Sequence, residues 1–299
     1  MNQRLTPAAA LLLIVPPLLW AGNSVAGRAL AGQVSPMLLN FLRWVFALAL
    51  LLPLAPEVLK PASGLWRHWR RYALLGLLGV GSYNALQYLA LRTSTPLNVT
   101  LVAASSPVWM LAVGRLFYGQ RISGRQWLGT VLSLVGVLVA LTRGEGSALA
   151  GLRLVPGDLY VLLAALAWAF YSWLLAQPDD PPAIRGNWAA FLVAQMVFGL
   201  GWSGAFAAGE WAMGQARADW SPTVVAVLAY IVLGPAILAY RCWGLGVQRA
   251  GPAVASFFNN LTPLFAALLS AAFLGEMPRL YHGAAFVLIV GGIVVSSRR

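Results

Sequence analysis

The sequence predicts an all-α membrane protein with ten transmembrane helices arranged in two inverted five-helix repeats. Three observations lead to this prediction: the composition, the spacing of apolar stretches and an internal repeat. Hydrophobic residues make up 60% of the 299 positions and charged residues only 9%, whereas about a quarter of the residues are charged in an ordinary soluble domain. The chain is therefore expected to lie in a lipid bilayer.

Ten apolar stretches approach the roughly 20 residues that a helix needs to cross a bilayer. The connections between them are short, so we expect no soluble domain beside the membrane part. The predicted spans cover residues 8 to 29, 36 to 55, 71 to 91, 96 to 117, 126 to 142, 157 to 176, 187 to 208, 222 to 245, 252 to 274 and 281 to 297.

The second half of the chain repeats the first. Residues 72 to 141 align with 228 to 297 at an offset of 156, and the front of each half matches at an offset of 148. An odd number of spans per copy forces the second copy to enter the membrane from the other side, which is typical of transporters with a midplane substrate site. We therefore expect one membrane-embedded unit with a first repeat over residues 1–150 and an inverted second repeat over 151–299. The offset of 156 aligns Pro96 with Pro252, Pro107 with Pro263, Gly119 with Gly275 and Gly136 with Gly292.

The distribution of Lys and Arg predicts the orientation. A net charge of +12 can indicate nucleic-acid binding, but the basic residues are scattered among short loops and form no long run; no nucleic-acid partner is expected. The side that carries both termini receives 12 of these residues and the opposite side 6. Because Lys and Arg mark the cytoplasmic side of a membrane protein, both termini are predicted to be cytoplasmic.

Two segments of similar pattern lie 156 residues apart, "VAASSPVWMLAV" at 102 to 113 and "FNNLTPLFAALL" at 258 to 269. Proline removes a main-chain donor and kinks a helix, so Pro107 and Pro263 predict interruptions. One interpretation is that Ser106 and Thr262 repair the kinks or join neighbouring helices. Two adjacent asparagines, however, exceed what one kink requires. We hypothesise that each motif opens a helix near the centre of the bundle and exposes polar groups to a cavity.

Aromatic and amide side chains recur at helical spacing inside several spans. In the first span, Trp20 and Asn23 share a face, and Pro16 and Pro17 are expected to bend the helix just before them. Aromatic residues near span ends are typical of an interfacial belt, and those inside spans either line a chamber or pack against one another. The predicted chamber comprises Trp20, Asn23, Tyr83, Asn84, Tyr88, Ser105, Trp109, Trp168, Tyr171, Asn259 and Asn260. Two further aromatic residues inside a span, Tyr240 and Trp243, lie on the eighth span.

Charged residues inside the spans are few. Only Arg43 and Arg241 fall well within apolar stretches, where each holds a carboxylate, reaches to the membrane surface or pairs with carbonyls at a helix end. The acidic residues are expected in loops, except that Asp158 opens the sixth span, so proton or sodium exchange on a buried carboxylate is disfavoured. No motif of a metalloprotease, a P-loop enzyme or a serine hydrolase is present. We expect neither an enzyme nor a metal or organic cofactor.

The segments "GQRISGRQWLGTVLSLVGVLVAL" at 119 to 141, "GEMPRLYHGAAFVLIVGGIVV" at 275 to 295 and "LLWAGNSVAGR" at 18 to 28 resemble the EamA family of the drug/metabolite transporter superfamily. Within it, the chain is similar to the bacterial aromatic amino acid exporters of the YddG type. The resemblance implies a helical bundle in the inner membrane that exports amino acids by alternating access. Where the family carries a glutamate, the chain has Gln120 in the first half and Glu276 in the second.

The expected function is export of aromatic and other mostly apolar amino acids, with stacking and hydrogen bonding in the chamber. An alternative is efflux of drugs or other small metabolites by the same fold, since fold does not determine substrate. A channel-like facilitator is a further alternative, and an intramembrane enzyme is disfavoured by the absent motifs. The sequence does not determine the oligomeric state; a monomer is compatible with it.

Overall fold

A computed structural model describes residues 5–30, 32–90, 93–94, 96–145, 155–274 and 279–298. In these ranges every regular element is a helix, and a single β-bridge pairs Val34 with Ala218. The predicted all-α class is therefore confirmed for the described part. Glu276, which occupies the family's glutamate position in the second half, lies outside the described residues.

The helices follow the predicted spans closely. Their bounds are α1 Pro7–Ala29, α2 Pro36–Leu51, α3 Trp69–Leu75, α4 Tyr83–Ala90, α5 Pro96–Ala103, α6 Ser106–Tyr118, α7 Gly124–Leu141, α8 Pro156–Ala176, α9 Pro182–Arg185, α10 Trp188–Ala212, α11 Pro222–Ile231, α12 Ala239–Ala250, α13 Pro252–Phe258, α14 Thr262–Leu274 and α15 Leu280–Ser297. By length and composition, seven described helical stretches can cross a membrane, and Pro7–Asn23 is a shorter apolar one. The chain is thus a multi-pass membrane protein.

Two helical runs of the described chain contain a π-helical segment in place of regular α-helix. Gly76–Ser82 joins α3 to α4, and Val232–Leu238, with Pro235 inside it, joins α11 to α12. A π turn is wider than an α turn and leaves main-chain groups less tightly paired, which is why such turns concentrate at functional sites. The two segments are separated by the same 156 residues that relate the sequence repeats.

The two proline motifs interrupt their helices in a similar way. Helix α5 ends at Ala103 and α6 begins at Ser106, with Pro107 in its first turn. Helix α13 ends at Phe258, a 3₁₀ turn covers Asn259–Leu261, and Pro263 is the second residue of α14. A proline in the first turn costs no hydrogen bond, because that N–H has no partner within its helix.

Helix α1, by contrast, runs without interruption through Pro16 and Pro17. The strong bend expected at these two prolines stays a prediction.

The described chain divides into two compact units. Unit 1 comprises residues 1–22, 90–176 and 242–299, and unit 2 comprises residues 23–89 and 177–241. Each unit therefore collects pieces from both halves of the sequence. The division falls within α1, α4 and α12, which contribute residues to both units.

Glycines allow close helix packing inside each unit. In unit 1, a Cβ atom on Gly129 of α7 would lie 2.7 Å from the carbonyl oxygen of Gly292 in α15. In unit 2, a Cβ atom on Gly76 would lie 2.6 Å from the main-chain nitrogen of Gly199 in α10. Backbones that approach so closely leave no room for a side chain, as is common at contacts between membrane helices. The glycine that opens the "GLLGVG" segment at 76 to 81 thus allows this close approach.

One assignment from the sequence is wrong. Glu210 was expected in a loop, but it lies in the last turns of α10 and is 1% exposed. Its carboxylate accepts hydrogen bonds from the Ser35 hydroxyl at 2.6 Å and from the main-chain N–H of Leu38 at 3.0 Å. Glu210 thus satisfies the unpaired N–H groups at the start of α2, a favourable position for a negative charge.

Candidate functional site

Aromatic rings from three helices form a cluster inside unit 1. The ring centroid of Trp168 in α8 lies 5.2 Å from that of Trp20 in α1, with an interplanar angle of 84°, and 5.0 Å from that of Tyr171. Trp243 in α12 lies 5.2 Å from Trp168 and 5.8 Å from Trp20. We call these four residues the indole cluster. Such edge-to-face and tilted contacts are the favoured geometries of aromatic pairs.

The members of the indole cluster differ in accessibility. Trp168, Tyr171 and Trp243 are buried, whereas Trp20 is half-buried. The indole N–H of Trp243 donates to the Ser172 hydroxyl at 3.2 Å. In this structure Trp168 and Tyr171 therefore pack against other rings, and Trp20 is the predicted chamber residue of the cluster that keeps accessible surface.

The two proline motifs meet inside unit 1. The side-chain amide of Asn259 donates to the Ser106 hydroxyl at 3.4 Å, and that of Asn260 donates to the Ser133 hydroxyl at 2.8 Å. The amide oxygens of both asparagines are buried, and neither has a hydrogen-bond partner among the described residues. A buried acceptor without a partner costs free energy, so these oxygens are candidates for binding a solute with N–H or O–H donors.

The hydroxyls at the interruptions satisfy main-chain carbonyls. Ser105 donates to the carbonyl of Val102 at 2.5 Å and accepts the indole N–H of Trp109 at 3.0 Å. Thr262 donates to the carbonyl of Asn259 at 2.7 Å. Thr262 therefore has the repair role expected from the sequence. Ser105 bonds a carbonyl that also accepts the Ser105 N–H, and it positions the half-buried ring of Trp109.

A second group of polar and aromatic side chains lies inside unit 2. Arg43 is 1% exposed, and its guanidinium carbon lies 5.1 Å from the ring centroid of Trp44. Tyr240 packs edge-on against Trp44 with a centroid distance of 4.9 Å. Arg43 and Asn84 both lie close enough to the Tyr240 hydroxyl to interact with it. We call Asn40, Arg43, Trp44, Asn84, Tyr88 and Tyr240 the Arg43 cluster.

The first π segment anchors this cluster. The Tyr240 hydroxyl donates to the carbonyl of Gly79 at 2.6 Å. The Asn40 amide lies 3.4 Å from the carbonyl of Val80 and 3.5 Å from that of Gly81. The wide π turns leave these carbonyls available, and their pairing with side chains fixes Asn40 and Tyr240 beside α4.

The remaining predicted residues of unit 2 lie on two helices. Tyr83, Asn84 and Tyr88 are on α4, where Tyr83 hydrogen-bonds the Gln87 side chain. Asn23, on α1, is half-buried with a buried amide oxygen that has no described partner. In all, seven of the eleven predicted chamber residues belong to unit 1 and four to unit 2.

Arg241 differs from Arg43 although both lie inside apolar stretches. Arg241 is exposed, and its guanidinium carbon lies 4.2 Å from the ring centroid of Trp188. A cation over an aromatic face at an accessible position is a stabilising surface contact. Of the two arginines, only Arg43 is enclosed by protein.

The model of the EamA-like transporter family matches residues 7–142 and again residues 155–298. The chain belongs to the EamA-like transporter family. A Pseudomonas aeruginosa protein, PA1977, is 30% identical and aligns over 95% of this chain and 93% of its own length. The aromatic amino acid exporter YddG of Ancylobacter novellus is 24% identical over 97% of both chains.

The chain is also similar to a further transporter and to a solved structure. The Bacillus subtilis transporter YyaM is 24% identical and aligns over 85% of this chain and 82% of its own length. A solved crystal structure shares the fold with a TM-score of 0.74 and 22% identity, and it covers 96% of this chain and 95% of its own. The expected resemblance to EamA transporters is therefore confirmed.

The buried carboxylates among the described residues of this EamA protein all have protein partners. Asp180 accepts from Arg71 at 2.8 Å and from Arg185 at 2.7 Å. Asp158 accepts from the Ser94 hydroxyl at 2.5 Å, and Glu210 caps α2. Among the described residues, no buried carboxylate is left to hold a cationic solute, and no group of three or more His, Cys, Asp or Glu side chains could hold a metal ion.

Two residues of the Arg43 cluster were missed by the sequence analysis. Asn40 and Trp44 flank Arg43 on α2 at spacings of three and one residues, so Asn40, Arg43 and Trp44 share one helical face. The same spacing was recognised on the first span. The amide of Asn40 and the indole of Trp44 lie on this face in an otherwise apolar stretch, and this pattern could have indicated the cluster from the sequence.

Proposed function

We propose that this protein exports aromatic and other mostly apolar amino acids across the bacterial inner membrane by alternating access, with both termini in the cytoplasm. The observation that carries the proposal is the indole cluster, whose half-buried Trp20 lies against Trp168 in the same unit as the unpaired amide oxygens of Asn259 and Asn260. Aromatic faces bind a flat apolar side chain, and amide oxygens accept hydrogen bonds from an ammonium group.

The composition of the buried polar groups favours a neutral or zwitterionic solute over a cation. The buried carboxylates Asp158, Asp180 and Glu210 have protein partners. Efflux of hydrophobic cations usually needs a negative charge to offset the loss of hydration of the cation. Amino acid export is therefore favoured over cationic drug efflux.

The repeat organisation remains part of the proposal. The twofold family match and the matching positions of the two π segments support two repeats of five spans, over residues 1–150 and 151–299. The similarity to an aromatic amino acid exporter over 97% of both chains supports the substrate class. Interrupted helices give each repeat positions at which main-chain angles can change during transport.

A cell-based experiment tests the substrate class. Bacteria that express the protein should tolerate a toxic phenylalanine analogue, 4-fluorophenylalanine, at higher concentrations than cells with an empty plasmid, because export lowers the intracellular analogue. Tolerance of ethidium, a cationic dye, should not change. Tolerance of ethidium without tolerance of the analogue would overturn the proposal and favour drug efflux.

A further inference from the structure

Arg43 is a buried cation without a counter-ion. Its side chain is 1% exposed, and its Nε and Nη1 atoms are buried without a hydrogen-bond partner. Among the described residues no carboxylate pairs with it. Its contacts are the ring of Trp44 and the neighbouring phenol of Tyr240. Because burial of an unpaired charge costs several kcal/mol, a residue with no further task at this position would be expected to be neutral.

Two buried polar atoms of the Arg43 cluster also lack a partner. The amide oxygen of Asn40 and the hydroxyl of Tyr88 have no described hydrogen-bond partner, whereas the side chain of Asn84 hydrogen-bonds the Tyr240 hydroxyl. If these side chains served only to join the helices, these atoms would be expected to form hydrogen bonds within the protein. Several unsatisfied donors and an acceptor in one buried cluster indicate a ligand that supplies the missing partners.

The chemistry of these atoms specifies the ligand. The guanidinium of Arg43 and the amide N–H of Asn84 are donors that suit a carboxylate, and guanidinium binds carboxylates in a two-pronged geometry. The rings of Trp44 and Tyr240, 4.9 Å apart at their centroids, border these donors.

We propose that Arg43 is the carboxylate-binding residue of the protein, and that the Arg43 cluster binds the α-carboxylate of the exported amino acid. The inference rests on the proposed function, because it names the part of an amino acid that the protein recognises. It also limits the substrates: an aromatic amine without a carboxylate is a poor ligand, whereas an aromatic acid without an amino group still binds.

Three phenyl compounds separate the contributions of the two charged groups. Phenylalanine carries both groups, 3-phenylpropionate only the carboxylate and 2-phenylethylamine only the ammonium. Ligand binding raises the melting temperature of a protein in proportion to the logarithm of ligand concentration over Kd. In detergent micelles, the wild-type protein should be stabilised by the two carboxylates and hardly by the amine.

The matched variants are Arg43→Gln and Arg241→Gln, which each remove one guanidinium from unit 2. Arg43→Gln should weaken the binding of both carboxylates about tenfold to a hundredfold, as expected for charge-assisted hydrogen bonds, and should abolish the preference for phenylalanine over 2-phenylethylamine. Its melting temperature without ligand should stay equal or rise, because an unpaired buried charge is removed. Arg241→Gln should bind all three compounds as the wild type does.

Each outcome decides the inference. Undiminished stabilisation of Arg43→Gln by phenylalanine, or no stabilisation of the wild type by either carboxylate, would overturn it. A fall in the melting temperature of ligand-free Arg43→Gln would assign a structural role to Arg43 and would also overturn it. The proposed function is tested separately by uptake of phenylalanine into proteoliposomes. Carboxylate binding that depends on Arg43, without transport of phenylalanine, would retain the binding site and reject the amino acid exporter.

Discussion

The side-chain amide of Asn259 donates to the hydroxyl of Ser106 at 3.4 Å, although 153 positions separate the two residues. Each residue lies where a helix is interrupted beside a proline, so the two similar motifs of the sequence meet inside unit 1. The adjacent Asn260 joins the same region to Ser133 on α7 at 2.8 Å. The interruptions are therefore held by side chains rather than left to lipid, which cannot satisfy polar groups.

The bond between Asn260 and Ser133 should contribute measurably to stability. We expect Asn260→Ala and Ser133→Ala to be coupled by about 0.6 kcal/mol, the average for hydrogen bonds between membrane helices. A double-mutant cycle measures this coupling from the free energies of unfolding in mixed micelles. Strictly additive effects of the two substitutions would show that the bond does not stabilise the protein.

The close packing of the first π segment against α10 should not tolerate an added methyl group. In Gly76→Ala the new Cβ atom would lie 2.6 Å from the nitrogen of Gly199 and 2.7 Å from the carbonyl oxygen of Gln195. Backbone atoms cannot move out of the way as a flexible side chain can. We therefore expect a loss of about 1–3 kcal/mol in the free energy of unfolding, which is typical of overpacking.

The matched control for this substitution is Gly201→Ala on α10, the helix against which Gly76 packs. An added Cβ atom on Gly201 would meet nothing within 4 Å. That variant should keep or increase the melting temperature, since alanine favours a helix over glycine. Equal melting temperatures of Gly76→Ala and the wild type would contradict the close approach.

Asp180 should be essential to the stability of unit 2. Its side chain is fully buried and joins Arg71 and Arg185, which are 12% and 22% exposed in their side chains. Asp180→Asn removes the charge that both guanidinium groups share, and breaking a buried pair in this way costs about 3 kcal/mol or more. The measurement is the melting temperature in detergent.

The neighbouring residue provides the control. Asp179 is 70% exposed and lies 4.0 Å from Arg71, so Asp179→Asn should change stability by less than about 1 kcal/mol. Similar effects of the two substitutions would mean that the network around Asp180 does not stabilise unit 2.

The helices and their interruptions were predictable from the sequence. Long apolar stretches have few alternatives to helix in a bilayer, and prolines such as Pro107 mark where a helix cannot continue. The partners of individual residues were not predictable. Helical periodicity places Asn40, Arg43 and Trp44 on one face, but it does not say that this face meets Tyr240, because that contact depends on tertiary packing.

The sequence also did not predict which individual side chains are buried. The position of Glu210 near the end of an apolar stretch suggested a loop, yet its carboxylate caps α2 inside the protein. Trp168 was expected to line a chamber, whereas its ring is 1% exposed within the indole cluster. An accessible and a packed indole have the same sequence pattern, so only three-dimensional contacts distinguish them.

The difference between packed and available side chains decides which substitution tests the site. Trp168→Ala would empty a buried volume and cost about 3–5 kcal/mol, so lost transport could reflect unfolding. Asn84→Ala removes a small side chain whose described partner is the Tyr240 hydroxyl. We expect it to lower the rate of phenylalanine transport about tenfold, as for the loss of one hydrogen bond to a charged group, while the free energy of unfolding falls by no more than about 1 kcal/mol.

The control for Asn84→Ala is Gln120→Ala, which removes an exposed amide outside both clusters. Its transport rate and melting temperature should equal those of the wild type. Normal transport by Asn84→Ala would remove this residue from the proposed site.

The most direct test of the proposed function is efflux from liposomes that contain the purified protein and are loaded in turn with labelled tryptophan, phenylalanine, threonine, glutamate or a cationic dye. We expect saturable release of tryptophan and phenylalanine that exceeds release from protein-free liposomes, with no release of glutamate or dye. Release of the dye without the aromatic amino acids, or no release of any amino acid, would contradict the assignment as an amino acid exporter.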